Sequence, residues 1–79
     1  MRAAAIDRAL ILLAAFRVGD GSLTVSELAE HIRLYKSTAL RLLASLAHAR
    51  LAQRTDQGHW SLGPGAAWLA GIYVASFSR

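Results

Sequence analysis

Apolar side chains recur at the spacing of one helix face in two neighbouring segments near the middle of the chain. In residues 25–32 these positions are Val25, Leu28, Ala29 and Ile32. In residues 36–49 they are Ala39, Leu42, Leu43 and Leu46, and the opposite face carries Ser37, Arg41, Ala44 and His48. Each segment therefore predicts a helix that packs on one side and leaves the other side open to solvent or to a partner.

The first of these helices has a start signal, and a short turn joins it to the second. Thr24 and Glu27 have the spacing of a capping box, and Leu23 just before them is placed to act as a hydrophobic staple. Residues 33–35 then fit the turn of a helix-turn-helix, whose second helix enters the major groove of DNA. Taken alone, residues 36–49 would equally suit an ordinary amphipathic surface helix, but the order of the signals favours a DNA-reading unit.

A short alternating pattern after the second helix predicts a hairpin, or wing. Residues 51–54 and 59–62 have the length of short strands, and the residues between them end in Gly58, which suits a left-handed backbone position. Because side chains alternate along a strand, we expect Trp60 and Leu62 to face the helices and His59 and Ser61 to face water. Trp60 then anchors the wing to the core.

The segments on either side of this unit are more apolar than one packed face requires. The first helical segment has an inward stripe at Ile6, Ala9, Leu10, Leu13 and Phe16, and it ends in a turn-rich loop at residues 19–22. Ile11 and Leu12 fall outside that stripe. The last segment, residues 66–77, follows a break at residues 63–65 and is apolar nearly all round.

A helix without a polar face is normally buried, so we expect a second copy of the chain, or a downstream domain, to cover the last segment. Closure of the domain's own core is the alternative. For a homodimer formed through the first and last helices, the expected contact residues are Ile11, Leu12, Trp68, Ile72 and Tyr73.

Together these elements predict a mainly α fold with a small β-hairpin. A winged helix-turn-helix occupies residues 1–65, and a linker or dimerisation helix begins in residues 66–79. A chain of 79 residues suffices for one small domain, and its hydrophobic fraction of 54% fits the expectation of apolar surface left for a partner. Since the sequence has no cysteine, no secretory signal and no apolar run of about twenty residues, we expect a cytoplasmic location and no membrane partner.

Positive charge is concentrated in the predicted reading unit. The formal net charge of +4 and the pI of about 10.8 favour a polyanionic partner, although a membrane surface or simple solvation also suits a basic chain. Residues 31–55 contain no Asp or Glu, yet they hold five of the nine Lys and Arg residues. These five are Arg33, Lys36, Arg41, Arg50 and Arg54.

The sequence offers no pattern for catalysis or for a cofactor. His31, His48 and His59 have no metal-ligand spacing, and no cysteine or close carboxylate pair completes a set. Ser37 and His48 would lie roughly 16 Å apart along one helix, which is beyond hydrogen-bond reach. We therefore expect no catalytic site, no metal site and no cofactor.

Four segments, taken in order, resemble the N-terminal winged helix-turn-helix domain of the isocitrate lyase regulator (IclR) family of bacterial transcription factors. They are IDRAL at 6–10, VSELA at 25–29, KST at 36–38 together with RLL at 41–43 and Leu46, and WSLGP at 60–64. The resemblance implies binding of double-stranded operator DNA as a dimer or tetramer. It also implies a separate C-terminal domain for a small-molecule effector, so we expect no effector site in this chain.

Two positions depart from the family pattern. Arg50 stands where members usually have glycine, so either a non-glycine residue adopts the left-handed backbone there or the corner has a different geometry. Tyr35 stands where many members have proline, so a preset backbone angle is lost at the start of the recognition helix.

We expect the DNA contacts to begin at the start of the recognition helix. Ser37 and Thr38 are placed to donate to phosphates, although Thr38 alternatively serves as a plain helix cap. Arg41, one turn further on, is expected to contact a guanine or a phosphate, with a surface ion pair to Glu30 as the alternative. Leu40 is the candidate for contact with a thymine methyl group.

The remaining expected DNA contacts lie on basic residues around the recognition helix and on the wing. Arg33, Lys36 and Arg54 suit phosphates, and Thr55, Gln57 and His59 place donors on the wing near the backbone or the minor groove. Two other functions stay open. The chain could be a winged-helix protein-interaction module, which predicts little salt dependence, or a truncated subunit that pairs with a full-length regulator.

Overall fold

Four helices and one hairpin make up the described part of the chain. The computed structural model describes residues 3–17, 19 and 21–77. In chain order the elements are α1 (Ala4–Ala14), α2 (Val25–Ile32), α3 (Lys36–His48), β1 (Ala52–Arg54), β2 (Trp60–Leu62) and α4 (Pro64–Phe77). The predicted winged helix-turn-helix is therefore confirmed. Asp20 of the predicted loop and the last two residues of the predicted linker lie outside the described residues.

The core lies where the first three helices meet the hairpin. Leu12 of α1, Leu28 of α2 and Leu43 of α3 are fully buried, and Ala52 and Trp60 of the two strands join them. Burying a leucine side chain stabilises a fold by about 1.5–3 kcal/mol, so these three side chains supply much of what so small a core can offer. The hairpin is therefore part of the core and not an appendage.

Helices α2 and α3 pack with the predicted faces. In α2, Leu28 and Ala29 are buried, Val25 and Ile32 are half-buried, and the outward positions 26 and 30 are exposed. In α3 the buried residues are Ala39, Leu43 and Leu46, and the predicted outer face is exposed at Ser37, Arg41, Ala44 and His48.

The predicted inward stripe of α1 was wrong in its register. Ile6 and Leu10 are 61% and 55% exposed, whereas Leu12 is completely buried. Because α1 is apolar on more than one face, its periodicity alone could not choose between registers, and packing against α2 and α3 selects the face centred on Leu12. Leu12 is consequently unavailable as a dimer contact, which corrects its assignment to that interface. Ala9, Leu13 and Phe16 do pack against the core as predicted.

An arginine with left-handed backbone follows the C-terminal end of each helix of the helix-turn-helix. After α2, Arg33 has φ 58°, and the Leu34 amide donates to the Ala29 carbonyl at 2.9 Å. After α3, Arg50 has φ 63°, and the Leu51 amide donates to the Leu46 carbonyl at 2.9 Å. These are the long hydrogen bonds of Schellman motifs, for which glycine is the usual residue. Of the two geometries expected at Arg50, the left-handed one is present.

The hairpin has the predicted order, with strands one residue shorter at their start. Strands β1 and β2 are antiparallel, with Ala52 opposite Leu62 and Arg54 opposite Trp60. Gly58 has φ 81°, and its amide donates to the Thr55 carbonyl at 2.9 Å. Trp60 keeps only 6% of its surface exposed, so it anchors the wing as predicted.

A third backbone segment pairs with the hairpin, and this pairing was not predicted. The Leu23 amide donates to the Trp60 carbonyl at 2.7 Å, and the Trp60 amide donates to the Leu23 carbonyl at 2.6 Å. This contact covers one edge of β2. His59 and Ser61, which were expected to face water, are accordingly half-buried, while Leu62 remains 44% exposed at the end of the strand instead of packing on the helices.

Two glycines bring the start of α4 against the end of α3. The Gly65 amide donates to the Arg50 carbonyl at 2.7 Å, and the Gly63 amide donates to the Leu51 carbonyl at 2.9 Å. A Cβ atom built on Gly63 or Gly65 would lie 2.5 Å or 2.6 Å from the Arg50 carbonyl oxygen. Since that oxygen belongs to the backbone, it cannot swing aside, and only glycine fits at these two positions.

Beyond this corner α4 leaves the body of the domain. None of its residues is buried, and its largest exposed side chains include Trp68 at 70% and Tyr73 at 66%. The helix therefore does not close the core of its own chain. None of the helices in the described residues is both long enough and apolar enough to cross a membrane.

We predict that Gly63→Ala destabilises the domain by about 1–3 kcal/mol, because the new methyl group overlaps the Arg50 carbonyl. Thermal unfolding followed by circular dichroism should show a midpoint several degrees lower. Gly71→Ala is the matched control, since its Cβ would meet nothing within 4 Å and alanine favours a helix. Equal midpoints for the two variants would contradict the close approach at Gly63.

Candidate nucleic-acid interface

The outer face of α3 presents a mixed polar and aliphatic surface. Ser37 and Arg41 are exposed, and Leu40 between them keeps 39% of its surface in contact with solvent. An exposed leucine gains nothing from water, whereas a hydroxyl and a guanidinium can each donate to an acceptor on a partner. This face matches what a major-groove helix needs, which is donors for base edges and phosphates and an apolar group for a thymine methyl.

The two helices of the helix-turn-helix begin in different ways. At α2 the Glu27 amide donates to Thr24 Oγ1 at 3.1 Å, and the Thr24 amide donates to Glu27 Oε1 at 2.8 Å, which is the predicted capping box. At α3 the N-cap residue is Tyr35, whose side chain makes no capping hydrogen bond. The backbone amides of the first turn of α3 therefore remain available to an external acceptor.

The capping box also sets the charge at the start of α2. The Thr24 backbone amide, and after it the Thr24 side chain, hold the pKa of Glu27 below its ordinary value of 4.5, and the nearby His59 contributes in the same direction. Glu27 thus stays ionised at neutral pH, where its negative charge also suits the helix N-terminus. The helix that supports α3 is in this way fixed at its first turn.

The predicted wing residues divide into exposed and engaged groups. Arg54 and Gln57 are exposed, and the Arg54 guanidinium lies 5.8 Å from the centre of the Trp60 ring. His59 is half-buried, with Nδ1 3.4 Å from Ser22 Oγ, and its backbone amide donates to Thr55 Oγ1 at 3.1 Å. The contact with Ser22 ties the hairpin to the segment before α2, and the contact with Thr55 closes the hairpin loop. Of the predicted wing residues, Arg54 and Gln57 are therefore the exposed ones.

Two surface clefts are lined by three of the predicted DNA-contact residues, Arg33, Thr38 and Arg41. The first, of about 510 Å³, is lined by Arg8, Arg33, Leu34, Tyr35 and Thr38. The second, of about 310 Å³, is lined by Ala5, Arg8, Thr38, Arg41 and Leu42. Arg33, Thr38 and Arg41 are thus neighbours around the start of α3, whereas the wing residues Arg54, Gln57 and His59 line neither cleft.

Sequence reasoning missed Arg8. It lies in α1, outside the acid-free segment that drew attention to the other basic residues, and no motif marks it. Only the packing of α1 beside α3 places it next to Thr38 and Arg41. The only available signal was that Arg8 lies in the IDRAL segment that resembles the IclR family. That resemblance did not indicate what Arg8 does.

The histidines do not assemble with other ligands. Within residues 3–17, 19 and 21–77, no group of three or more His, Asp or Glu side chains is arranged to hold a metal ion. The chain has no cysteine.

Comparison with known proteins agrees with this geometry. The family model for the IclR helix-turn-helix domain matches residues 5–56, which is more than half of the chain. The chain therefore belongs to the IclR family, and the matched region is the helix-turn-helix domain of that family. No curated protein matches the chain.

Solved structures share the fold. They include an IclR transcriptional regulator from Silicibacter sp. TM1040 (29% identity, TM-score 0.84), an IclR family transcriptional regulator from Brucella abortus (25%, 0.83) and the repressor BlcR from Agobacterium tumefaciens (26%, 0.78). Each match covers 91% of this chain. The chain spans only 28%, 28% and 29% of those three proteins, respectively.

We predict that the contribution of the Glu27 cap to stability depends on pH. A carboxylate whose folded-state pKa is lowered stabilises the fold above its unfolded pKa, and that stabilisation is lost as the pH falls through the folded value. Glu27→Ala should therefore be less stable than the unchanged chain at neutral pH, and the difference should shrink below pH 4.5. Urea unfolding at neutral pH and below pH 4.5 measures this difference in the free energy of unfolding. Glu30→Ala is the control in the same helix. A stability difference that does not change with pH would contradict the stabilising role of the ionised Glu27 side chain at the start of α2.

Proposed function

We propose that the chain is the DNA-reading part of an IclR-type transcription regulator acting in the bacterial cytoplasm. In this proposal residues 1–65 form the DNA-binding domain and residues 66–79 begin a linker. Helix α3 enters the major groove, and the wing at residues 51–62 lies on the backbone or the minor groove. The observation that carries the proposal is the start of α3, where an uncapped helix end, an exposed donor face and a group of basic residues coincide.

Base reading is assigned to the outer face of α3. Arg41 is exposed and lies one helical turn after Thr38, so its guanidinium can form a bidentate contact with a guanine or clamp a phosphate. Leu40 offers the apolar contact that distinguishes thymine by its methyl group. These two side chains are proposed to carry sequence preference.

Phosphate contacts are assigned around that face. Ser37 and Thr38 contribute hydroxyls and first-turn amides, and Arg33 and Lys36 contribute positive charge. On the wing, the exposed Arg54 and Gln57 are the proposed contacts. His59 is proposed to act on the same surface, mainly by holding the wing through its contact with Ser22.

A second copy of the chain is proposed to cover the apolar side chains of α1 and α4. The side chains meant are the exposed ones, which lie outside the buried core and include Ile11 at 53%, Trp68 at 70%, Ile72 at 51% and Tyr73 at 66% exposure. The Tyr73 and Phe77 rings lie 4.7 Å apart, so the end of α4 presents a continuous aromatic surface. A homodimer would bury it and would place two recognition helices on two half-sites.

We predict that Arg41→Ala weakens binding to a specific duplex by about 1–3 kcal/mol. The measurement is fluorescence anisotropy with duplex DNA from upstream of the chain's own gene and with a scrambled duplex, at several salt concentrations. Arg17→Ala is the matched control, because it removes the same charge on a cleft shared with Glu27 and Glu30, away from α3.

Unchanged affinity of Arg41→Ala would remove Arg41 from the interface. If the unchanged chain bound neither duplex at low salt, the DNA-reading function itself would fail. A chain that bound protein with little dependence on salt would instead support the interaction module, the second function that the exposed apolar helices favour.

We predict that Trp68→Glu and Ile72→Glu each convert a dimer to a monomer, because a buried charge without a partner is costly. Light scattering coupled to size exclusion measures the mass. Ala70→Glu is the control, since a step of 100° per residue places Ala70 on the face of α4 opposite Trp68. A monomeric mass for the unchanged chain, or equal effects of all three changes, would contradict the proposed interface.

A further inference from the structure

A surface cleft lies where α1 passes the turn that leads into α3. It has a volume of about 510 Å³ and is lined by Arg8, Arg33, Leu34, Tyr35 and Thr38. Two guanidinium groups, one phenol and one aliphatic hydroxyl therefore surround a single concavity. Guanidinium and hydroxyl groups donate hydrogen bonds, so this set of side chains suits an anion with several acceptor oxygens.

No carboxylate of the described residues lines this cleft or the smaller one beside it. Asp7, the residue before Arg8, is half-buried and contributes to neither wall. The acidic side chains Glu27 and Glu30 line a separate cleft with Arg17 and His31. The charged side chains that line these two clefts are therefore all arginines.

Arg8 joins this cleft to the reading surface. It lines the first cleft with Arg33 and the second, of about 310 Å³, with Arg41, and Thr38 lines both. The uncapped first turn of α3 begins at the same place. An anion held here would touch α1, the turn and α3 together.

Tyr35 supplies the outer wall and is 85% exposed. Its backbone φ of −67° is close to the value that proline fixes, so the start of α3 keeps the geometry expected of a proline without needing that residue. The ring is not used for packing. Its hydroxyl is accordingly free to reach a partner at the mouth of the cleft.

We infer that this cleft binds one backbone phosphate of the DNA that α3 reads, and that Arg8 and Tyr35 are DNA contacts. The inference rests on the proposed function and adds α1 to the DNA-binding surface. A DNA phosphate is favoured over a free anion because the cleft is open, its side chains are solvent-exposed apart from the half-buried Leu34 and Thr38, and it adjoins the exposed face of α3. A phosphate contact fixes orientation and carries no base preference.

The test compares Arg8→Ala, Tyr35→Phe and the control Arg17→Ala with the unchanged chain. The affinity of each protein is measured for a fluorescent duplex from upstream of the gene and for a scrambled duplex, at several salt concentrations. Arg8→Ala should lose roughly 10-fold in affinity for both duplexes and lower the salt slope by about one. Tyr35→Phe should lose affinity for both duplexes without changing the slope, since only a neutral hydroxyl is removed. Thermal unfolding checks that the variants remain folded.

A second set of duplexes identifies the phosphate. Single phosphates are replaced one at a time by uncharged methylphosphonates, and the unchanged chain should lose affinity at one particular position that costs Arg8→Ala nothing further. If the unchanged chain binds DNA with a steep salt dependence but Arg8→Ala behaves as Arg17→Ala does, this inference fails and the proposed function stands. If the unchanged chain binds no duplex, both fail.

Discussion

The position of Trp60 is the constraint on which the rest of the domain depends. Its side chain completes the core formed by Leu12, Leu28 and Leu43, and its backbone bonds to Leu23 on one side while β1 lies on the other. One residue therefore ties the wing to α2 and, through the core, to α3. Because packed interiors resist deformation, this shared core holds the hairpin and α3 in a fixed relation to each other.

The end of α3 imposes a second constraint that acts on the backbone alone. Arg50 adopts a conformation that glycine prefers, and its carbonyl oxygen is approached so closely that Gly63 and Gly65 cannot be replaced without movement. Glycine is thus absent at position 50, where, as at Arg33, it would relieve backbone strain. Glycine stands instead at positions 63 and 65, where the start of α4 lies against the end of α3. At those two positions the space beside the Arg50 carbonyl, and not the backbone angle, excludes a side chain.

Local patterns predicted most of the fold, and non-local packing accounts for what they missed. Helix α2 and its cap were predictable because Thr24 and Glu27 are three residues apart and one face is clearly apolar. The register of α1 was not, since Leu10 and Leu12 are equally apolar and only the tertiary fit buries Leu12. The pairing of Leu23 with Trp60 and the position of Arg8 beside Thr38 and Arg41 join distant parts of the chain, so no short sequence pattern predicts them.

Helix α4 begins against the end of α3, where the Gly65 amide donates to the Arg50 carbonyl and Trp68 lines a cleft with Arg50. Nothing in the core restricts the identity of the side chains further along, as none of them is buried. In the proposed dimer, substitutions in α4 would therefore alter which subunits associate without disturbing the folding of the DNA-binding domain, and changes on α3 would alter the DNA site without disturbing association. The two properties would then be free to diverge separately in evolution.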